Sequence, residues 1–237
     1  MEFFFSGVAS PTEFAMLRAA CVSRILVDPV DYPNVEGWDG DCGAYKRLKG
    51  GSMIPFKGYV RLAERESEFA FVTAYDVIGD QARSRRYWPL GIRAVPVCHW
   101  GARRSVLLKY LDEAPIVGIG GMVNTLRARG KTNEETRALE RARDVALDEL
   151  TELCSLYRQR LHLFGACWLR ALEALQNSLA SADSSKWLDG KRTRLLIFEH
   201  SKNHHLSIAP SRALGYGDWD GTSLSIENAR NMEKAAL

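Results

Sequence analysis

The stretch Asp183–Arg192 places one acid among several basic residues, and this combination suits chemistry on a phosphorylated sugar. It reads Asp-Ser-Ser-Lys-Trp-Leu-Asp-Gly-Lys-Arg and lies just before the apolar run Leu195–Phe198. A carboxylate can attack an anomeric carbon while neighbouring cations bind the flanking phosphates. The alternative is a solvated turn in which Asp183 is a helix cap or a loop acid. This stretch therefore predicts either a nucleophile or a turn.

Two further acids lie where a catalyst could be held. Asp41 opens the sequence Asp-Cys-Gly-Ala-Tyr, which ends at Tyr45 inside a long loop rich in Pro, Gly and Asp. Loops of this length in a compact domain are usually functional or disordered, so Asp41 is either an acid/base group or an ordinary loop acid. Asp76 follows an apolar run and is either a ligand-binding acid or a helix N-cap or arginine partner.

Short apolar runs alternate with helical patterns along the chain. We expect strands at 3–5, 24–28, 69–74, 93–98, 115–119, 161–165, 182–183 and 195–198. Strands separated by helices predict a parallel sheet, and eight of them predict a (β/α)8 TIM-type barrel that forms a single domain over residues 1–237. Strand ends carry the candidate residues Asp28, Asp76, His99, Gly120, Gly165 and Asp183, and this is where such barrels place their chemistry.

Two helix starts are marked by capping sequences. Ser10-Pro11-Thr12-Glu13 offers an N-cap serine, a proline at the first helical position and an acid at the third. Thr132 and Glu135 form a second capping box. Both predict helices that begin at these residues.

Composition sets broad limits on function. The net charge of +3 over 237 residues permits a nucleic-acid partner without requiring one. The five cysteines form no CxxC pair, which favours free thiols in a reducing cytoplasm. We expect a cytoplasmic protein with no secretion signal and no membrane span, because no long apolar stretch occurs.

Four motifs, taken in order, resemble the guanine transglycosylases. This family contains the queuine-type tRNA-ribosyltransferases and relatives that insert 7-deazaguanines into the DNA of bacteriophages and bacterial genomic islands. Asp41–Tyr45 is similar to the family's Asp-Ser-Gly-Gly/Ala-Phe/Tyr motif, and Tyr75-Asp76 to the strand end whose acid reads guanine. Gly118–Met122 is similar to the Gly-Gly-Leu turn of the base pocket, and Asp183–Arg192 to the nucleophile strand with its basic tail.

The resemblance implies a role for each matched residue. Asp183 would be the nucleophile and Asp41 the general acid/base. The base would be bound by Asp76, Tyr45, Trp100, Gly120, Gly121 and Met122. Nucleic-acid phosphates would be bound by Lys186, Lys191, Arg192, Arg194, Arg85 and Arg86, the last two being otherwise part of a solvated face.

The sequence also departs from the tRNA enzymes. Their C-x-C-x2-C zinc site follows the nucleophile, whereas no cysteine follows Cys167 here, and their Val-Gln-Gly stands here as Cys98-His99-Trp100-Gly101. We also expect no RNA-binding domain after Leu237. These differences favour DNA and a 7-deazaguanine such as preQ0 as partners, with tRNA as the alternative polymer. A third alternative is an inactive barrel that only binds nucleic acid or a deazapurine, and a homodimer is allowed.

The histidines give weaker signals. His162 lies in an apolar run and is expected to be a core histidine with its polar atoms satisfied. His200, His204 and His205 have a spacing that suits a metal, but no fourth ligand is evident. We therefore expect no zinc and no other cofactor.

Overall fold

The computed structural model describes most of the chain, with gaps. The described residues are 1–8, 10–22, 24–27, 39–40, 55–63, 72–88, 94–123, 125, 132–166, 168–199 and 206–236. Asp28, Asp41, Tyr45 and the three histidines at 200, 204 and 205 lie outside them.

A parallel sheet of seven strands is the centre of the structure. The strands are β1 Glu2–Val8, β2 Ile25–Val27, β3 Asp39–Gly40, β4 Val97–His99, β5 Val117–Gly120, β6 Leu161–Leu163 and β7 Ser181–Ser184. Their order is β3-β2-β1-β7-β6-β5-β4, and every neighbouring pair is parallel. A further parallel bridge joins Thr73 to Val95, just before β4. The prediction of an α/β protein with a parallel sheet is confirmed.

Both faces of the sheet are buried, as expected for parallel strands. Phe3 and Phe5 belong to the main hydrophobic core, which continues through the helices to Met232. Phe4 lies on the opposite face, in a second cluster with Leu26 and Val95. This alternation follows from the two-residue period of a strand.

Helices connect the strands and cover the main core. They are α1 Pro11–Ala19, α2 Phe56–Ala63, α3 Gln81–Tyr87, α4 Arg104–Glu113, α5 Asn133–Leu156, α6 Leu169–Leu175, α7 Asp189–Thr193 and α8 Gly221–Ala236, with 3-10 turns at Lys186–Leu188 and Ser211–Leu214. Ser10 accepts a hydrogen bond from the Glu13 N–H, and the Thr132 capping box is complete. Both predicted helix starts are confirmed.

The apolar run at 195–198 forms a strand, but its predicted place as the eighth strand of the parallel sheet is wrong. It is β8 Leu195–Glu199, which pairs antiparallel with β9 Leu206–Pro210 in a separate two-stranded sheet. An apolar run alone does not reveal which strand it will pair with. The strand β3, inside the predicted long loop, was not expected, since two residues carry no periodic signal.

No helix in the described part of the chain is long and apolar enough to cross a lipid bilayer.

Candidate active site

Asp183 lies on β7 and is 5% exposed. Its Oδ1 accepts a hydrogen bond of 2.9 Å from the Gly165 N–H. Gly165 adopts a positive φ of +63°, and a Cβ there would come within 2.7 Å of Val123 Cγ2, so the turn requires glycine. The turn after β6 therefore directs a backbone donor at the Asp183 carboxylate.

His162 supplies the second contact to the same oxygen. Its Nε2 lies 3.3 Å from Asp183 Oδ1, and its Nδ1 lies 2.8 Å from Ser181 Oγ. A neutral imidazole satisfies both contacts when Nε2 donates to the carboxylate and Nδ1 accepts from the hydroxyl. His162 is a fully buried core histidine, as predicted.

The connection between His162 and Asp183 was not predicted. His162 on β6 pairs with Ser181 on β7, and Asp183 follows two residues later. Residues two apart on a strand share a face, so this pairing brings both side chains to the imidazole. The signal could be found only once the strand pairing was known.

A second buried acid, Asp76, lies beyond the bridge at Thr73 and is 6% exposed. Its Oδ1 lies 2.8 Å from His99 Nε2 and accepts a hydrogen bond of 2.8 Å from Ser84 Oγ. This pairing of Asp76 with His99 was not predicted from the sequence.

Gln81 fixes the backbone of His99. The His99 N–H donates to Gln81 Oε1 at 2.7 Å, and Gln81 Nε2 donates to Tyr110 Oη and to the Val97 carbonyl. Burial raises the pKa of Tyr110 to about 12, and burial raises the pKa of the Cys98 thiol to about 11. Both groups stay protonated at neutral pH, so they add no charge beside the Asp76–His99 pair.

The predicted glycine turn lies next to this pair. Gly120 on β5 is the Cα partner of His99 on β4, and its carbonyl accepts a hydrogen bond of 2.8 Å from the Trp100 N–H. Gly121 is exposed and Trp100 is half-buried. The structure therefore brings Asp76, Gly120, Gly121 and Trp100 together. Met122 is fully buried in the main core, where it supports the turn.

The predicted phosphate-binding residues do not form one patch. Lys191 Nζ lies 3.2 Å from Glu13, and Arg194 donates to the Gly217 carbonyl at 2.8 Å. Arg85 on α3 forms an ion pair of 2.5 Å with Glu113 on α4. Arg86, next to Arg85, is exposed. The hydrogen bond from Arg85 lowers the pKa of Glu113.

Lys186 and Arg192 are the predicted pair that share a surface. Both line a cleft beside the end of β7, where Lys186 Nζ lies 2.8 Å from Asp189. This cleft lies close to Asp183, because Ser185, two residues after Asp183, is one of its lining residues.

Two predicted site residues cannot be placed. Asp41 directly follows β3 in the sequence, and both Asp41 and Tyr45 lie outside the described residues, as does the His200, His204 and His205 group. Within the described ranges, no group of three or more His, Cys, Asp or Glu residues could hold a metal ion.

A scan of the chain against protein-family models found no match, and a search of curated proteins found no similar sequence.

Proposed function

We propose that this protein is a DNA-guanine transglycosylase, which exchanges guanine in DNA for a 7-deazaguanine such as preQ0. The observation that carries the proposal is the geometry of Asp183, a buried carboxylate whose Oδ1 is held by Gly165 and His162. No described residue donates a hydrogen bond to its Oδ2. An oriented carboxylate with one oxygen available is suited to nucleophilic attack.

The exchange would proceed in two displacements at C1′ of the target nucleotide. In the first, Asp183 Oδ2 bonds to C1′, the C1′–N9 bond breaks, and Asp41 gives its carboxyl proton to the leaving guanine. In the second, N9 of the 7-deazaguanine bonds to C1′, the ester bond breaks, and the N9 proton passes to Asp41. Both carboxyl groups return to their starting states, so the exchange consumes no cofactor.

Base binding is proposed for the region around Asp76. A carboxylate can accept hydrogen bonds from the N–H groups of a guanine edge, and backbone N–H groups can donate to its carbonyl. Asp76 and the Gly120–Gly121 turn lie together and support this assignment. The target nucleotide must leave the base stack to reach them, which requires base flipping or a single strand.

We further propose that the sheet closes into a (β/α)8 barrel, with the segment around Thr73 as its eighth strand. Neighbours around the sheet are consecutive along the chain, and β7 pairs with β1. On a flat sheet β1 and β4 would be about four strand spacings, roughly 19 Å, apart. Phe4 of β1 and Val95 beside β4 nevertheless belong to one packed cluster, which supports strong curvature. An experimental structure without pairing between residues 39–40 and 72–74 would overturn closure.

The direct test is exchange of labelled base by the purified protein. Radiolabelled guanine or preQ0 is incubated with single-stranded DNA, double-stranded DNA and tRNA, and incorporation is measured. We expect incorporation into DNA, together with a protein–oligonucleotide adduct on a denaturing gel when no acceptor base is present. Incorporation into tRNA alone would replace DNA by tRNA as the polymer and leave the chemistry of Asp183 intact.

The matched variant pair is Asp183→Asn and Asp112→Asn. Asn keeps the Oδ1 acceptor for Gly165 but cannot form the ester, so exchange and adduct should fall to background while the fold is retained. Asp112 is exposed on α4, away from the residues of the candidate site, and its variant should keep exchange activity. Full exchange by folded Asp183→Asn protein would remove Asp183 as the nucleophile.

A further inference from the structure

A cleft with a volume of about 430 Å³ lies beside the C-terminal end of β7, and we call it the Trp168 cleft. It is lined by Arg143, Trp168, Arg170, Ser185, Lys186 and Arg192. Arg143, Trp168 and Arg170 were not predicted as site residues from the sequence. Arg143 lies on α5, whereas Trp168 and Arg170 lie at the start of α6. Only the fold brings them to the same surface as Lys186 and Arg192.

The charge of the Trp168 cleft is strongly positive. Four cations line it, from α5, α6, the turn Lys186–Leu188 and α7, and one carboxylate, Asp189, is also present. Four positive charges and one negative charge leave a net of +3 in this cleft, equal to the net charge of the whole chain. A local excess of this kind concentrates anions at the surface.

Arg143 is the cation that most needs a ligand. Its guanidinium lies 4.0 Å from the centre of the Trp168 ring, and its side chain is only 19% exposed. Its nearest carboxylate, Asp144, is 3.6 Å away, too far for a strong hydrogen bond. The Nε donor is buried and has no hydrogen-bond partner in the described part of the chain. A buried donor without an acceptor is costly, so the Arg143 guanidinium has hydrogen-bonding capacity that the described part of the chain leaves unused.

The Trp168 cleft adjoins the candidate nucleophile. The Ala166 N–H donates to the Asp183 carbonyl at 2.8 Å, and Trp168 follows Ala166 by two residues. On the other side, Ser185 of the cleft directly follows β7. A ligand group in the cleft would therefore lie next to whatever sugar Asp183 contacts.

We propose that the Trp168 cleft binds a phosphodiester group of a polynucleotide, next to the reacting nucleotide, with Arg143 as its central ligand. The proposal rests on the proposed function, because it takes the substrate of Asp183 to be nucleic acid. A planar guanidinium matches two phosphate oxygens, which a single ammonium cannot do. The half-buried Trp168 ring adds a surface on which a flanking base can stack.

The test is the affinity of a fluorescent single-stranded oligonucleotide, measured by anisotropy over a range of salt concentrations. Arg143→Ala should weaken binding about tenfold at low salt and lower the slope of log affinity against log salt by roughly 1, as loss of one phosphate contact does. Arg143→Lys keeps the charge and should keep the slope while losing part of the affinity. The matched control is Arg141→Ala, an exposed cation on the same helix, which should change neither quantity.

Circular dichroism verifies that each variant is folded. Arg192→Ala, at an exposed position, repeats the test without removing either of the arginine contacts to the Trp168 ring. Equal affinity of the Arg143→Ala and Arg141→Ala proteins for the oligonucleotide would overturn the proposal that this cleft binds phosphate. If polyglutamate displaces the fluorescent oligonucleotide at the same concentration as an unlabelled oligonucleotide does, the proposal is overturned in favour of an acidic peptide as the ligand. Base exchange measured on the same proteins separates the two proposals. If base exchange occurs but the cleft variants bind and exchange like the unmodified protein, only the proposed role of the cleft is refuted. If the protein binds neither DNA nor RNA, the proposed function is refuted as well.

Discussion

His162 Nε2 lies 3.3 Å from Asp183 Oδ1, and the other nitrogen of the same imidazole lies 2.8 Å from Ser181 Oγ. The imidazole is fully buried between β6 and β7, so water does not replace either contact. One carboxylate oxygen is thereby fixed by His162 and by the Gly165 N–H. The other oxygen keeps a defined direction, which is the requirement for attack at one carbon atom.

His162 is therefore predicted to be a positioning residue for Asp183, the proposed nucleophile. His162→Ala removes the donor and should lower kcat for base exchange by about 10²-fold. KM should change little, because the imidazole is fully buried and closed to a substrate. His162→Gln retains an N–H donor of similar reach and should restore part of kcat. The measurement is steady-state exchange kinetics on folded protein. A loss of melting temperature alone, with kcat unchanged, would make His162 purely structural.

Gly190 allows α7 and α8 to approach closely. A Cβ at this position would lie 2.5 Å from Ser225 N and 2.6 Å from the Leu224 carbonyl carbon, both backbone atoms that cannot rotate away. Gly190→Ala should lower the free energy of unfolding by about 1–3 kcal/mol, the range for overpacking a tight contact. Urea denaturation measures this. Gly217→Ala, whose Cβ would meet only the Arg212 side chain and Cα at 3.3 Å or more, should change stability far less.

Because three buried groups have raised pKa values, we expect the free energy of unfolding to fall in alkali. Burial raises the pKa of Cys98 from 9.0 to about 11, that of Cys154 from 9.0 to about 12 and that of Tyr110 from 10.0 to about 12. Above pH 9 the unfolded chain loses these protons while the folded chain keeps them, so stability is full below pH 9 and falls as pH rises towards 11–12. Urea denaturation at pH 8 and pH 10 measures the fall.

The variants Cys154→Ala and Cys21→Ala separate this effect from general alkaline damage. Cys154 is buried and Cys21 is exposed. Removing Cys154 should reduce the pH slope above pH 9 by up to one proton per chain, although the variant is less stable at every pH because of the cavity. Removing Cys21 should leave the slope unchanged. An identical slope for both variants would show that Cys154 does not titrate differently in the two states.

Local signals in the sequence predicted the elements of the fold better than their pairing. Ser10 and Thr132 were identified as helix caps because a cap involves only residues three positions apart. The destination of Leu195–Phe198 was missed because it depends on β9 and on α8, where Asn228 accepts the Ile197 N–H. The contact with Asn228 joins residues 31 positions apart, and neither this contact nor the antiparallel partner β9 leaves a periodic trace in the run itself.

The candidate site shows the same division. Asp183 and Asp76 were identified from strand ends, and both are buried in the structure. Their contacts with His162 and His99 were not predicted, because an imidazole contact across strands is set by register. The six predicted phosphate ligands were chosen from sequence clusters, and the fold separates Lys191 and Arg194 from the Trp168 cleft. Charge clusters along a chain do not predict which cations share a surface.

The contact between Asp76 and His99 leads to a prediction about the affinity of the protein for the free base. Asp76 Oδ1 accepts from Ser84 and lies 2.8 Å from His99 Nε2, so the side chain is oriented before any base arrives. If the carboxylate accepts guanine N–H groups, Asp76→Asn replaces an acceptor with a donor on one side. Affinity for free guanine or preQ0 should then fall by about tenfold or more, since a buried pair of donors is left unsatisfied.

Isothermal titration of the free base against folded protein measures this affinity, with Asp112→Asn on the exposed face of α4 as the matched control. His99→Gln replaces the imidazole with an amide. Its amide can still donate to Asp76, and it should retain more base affinity than His99→Ala. Asp76→Asn protein that binds guanine as tightly as the Asp112→Asn control would show that Asp76 holds His99 in place and does not read the base.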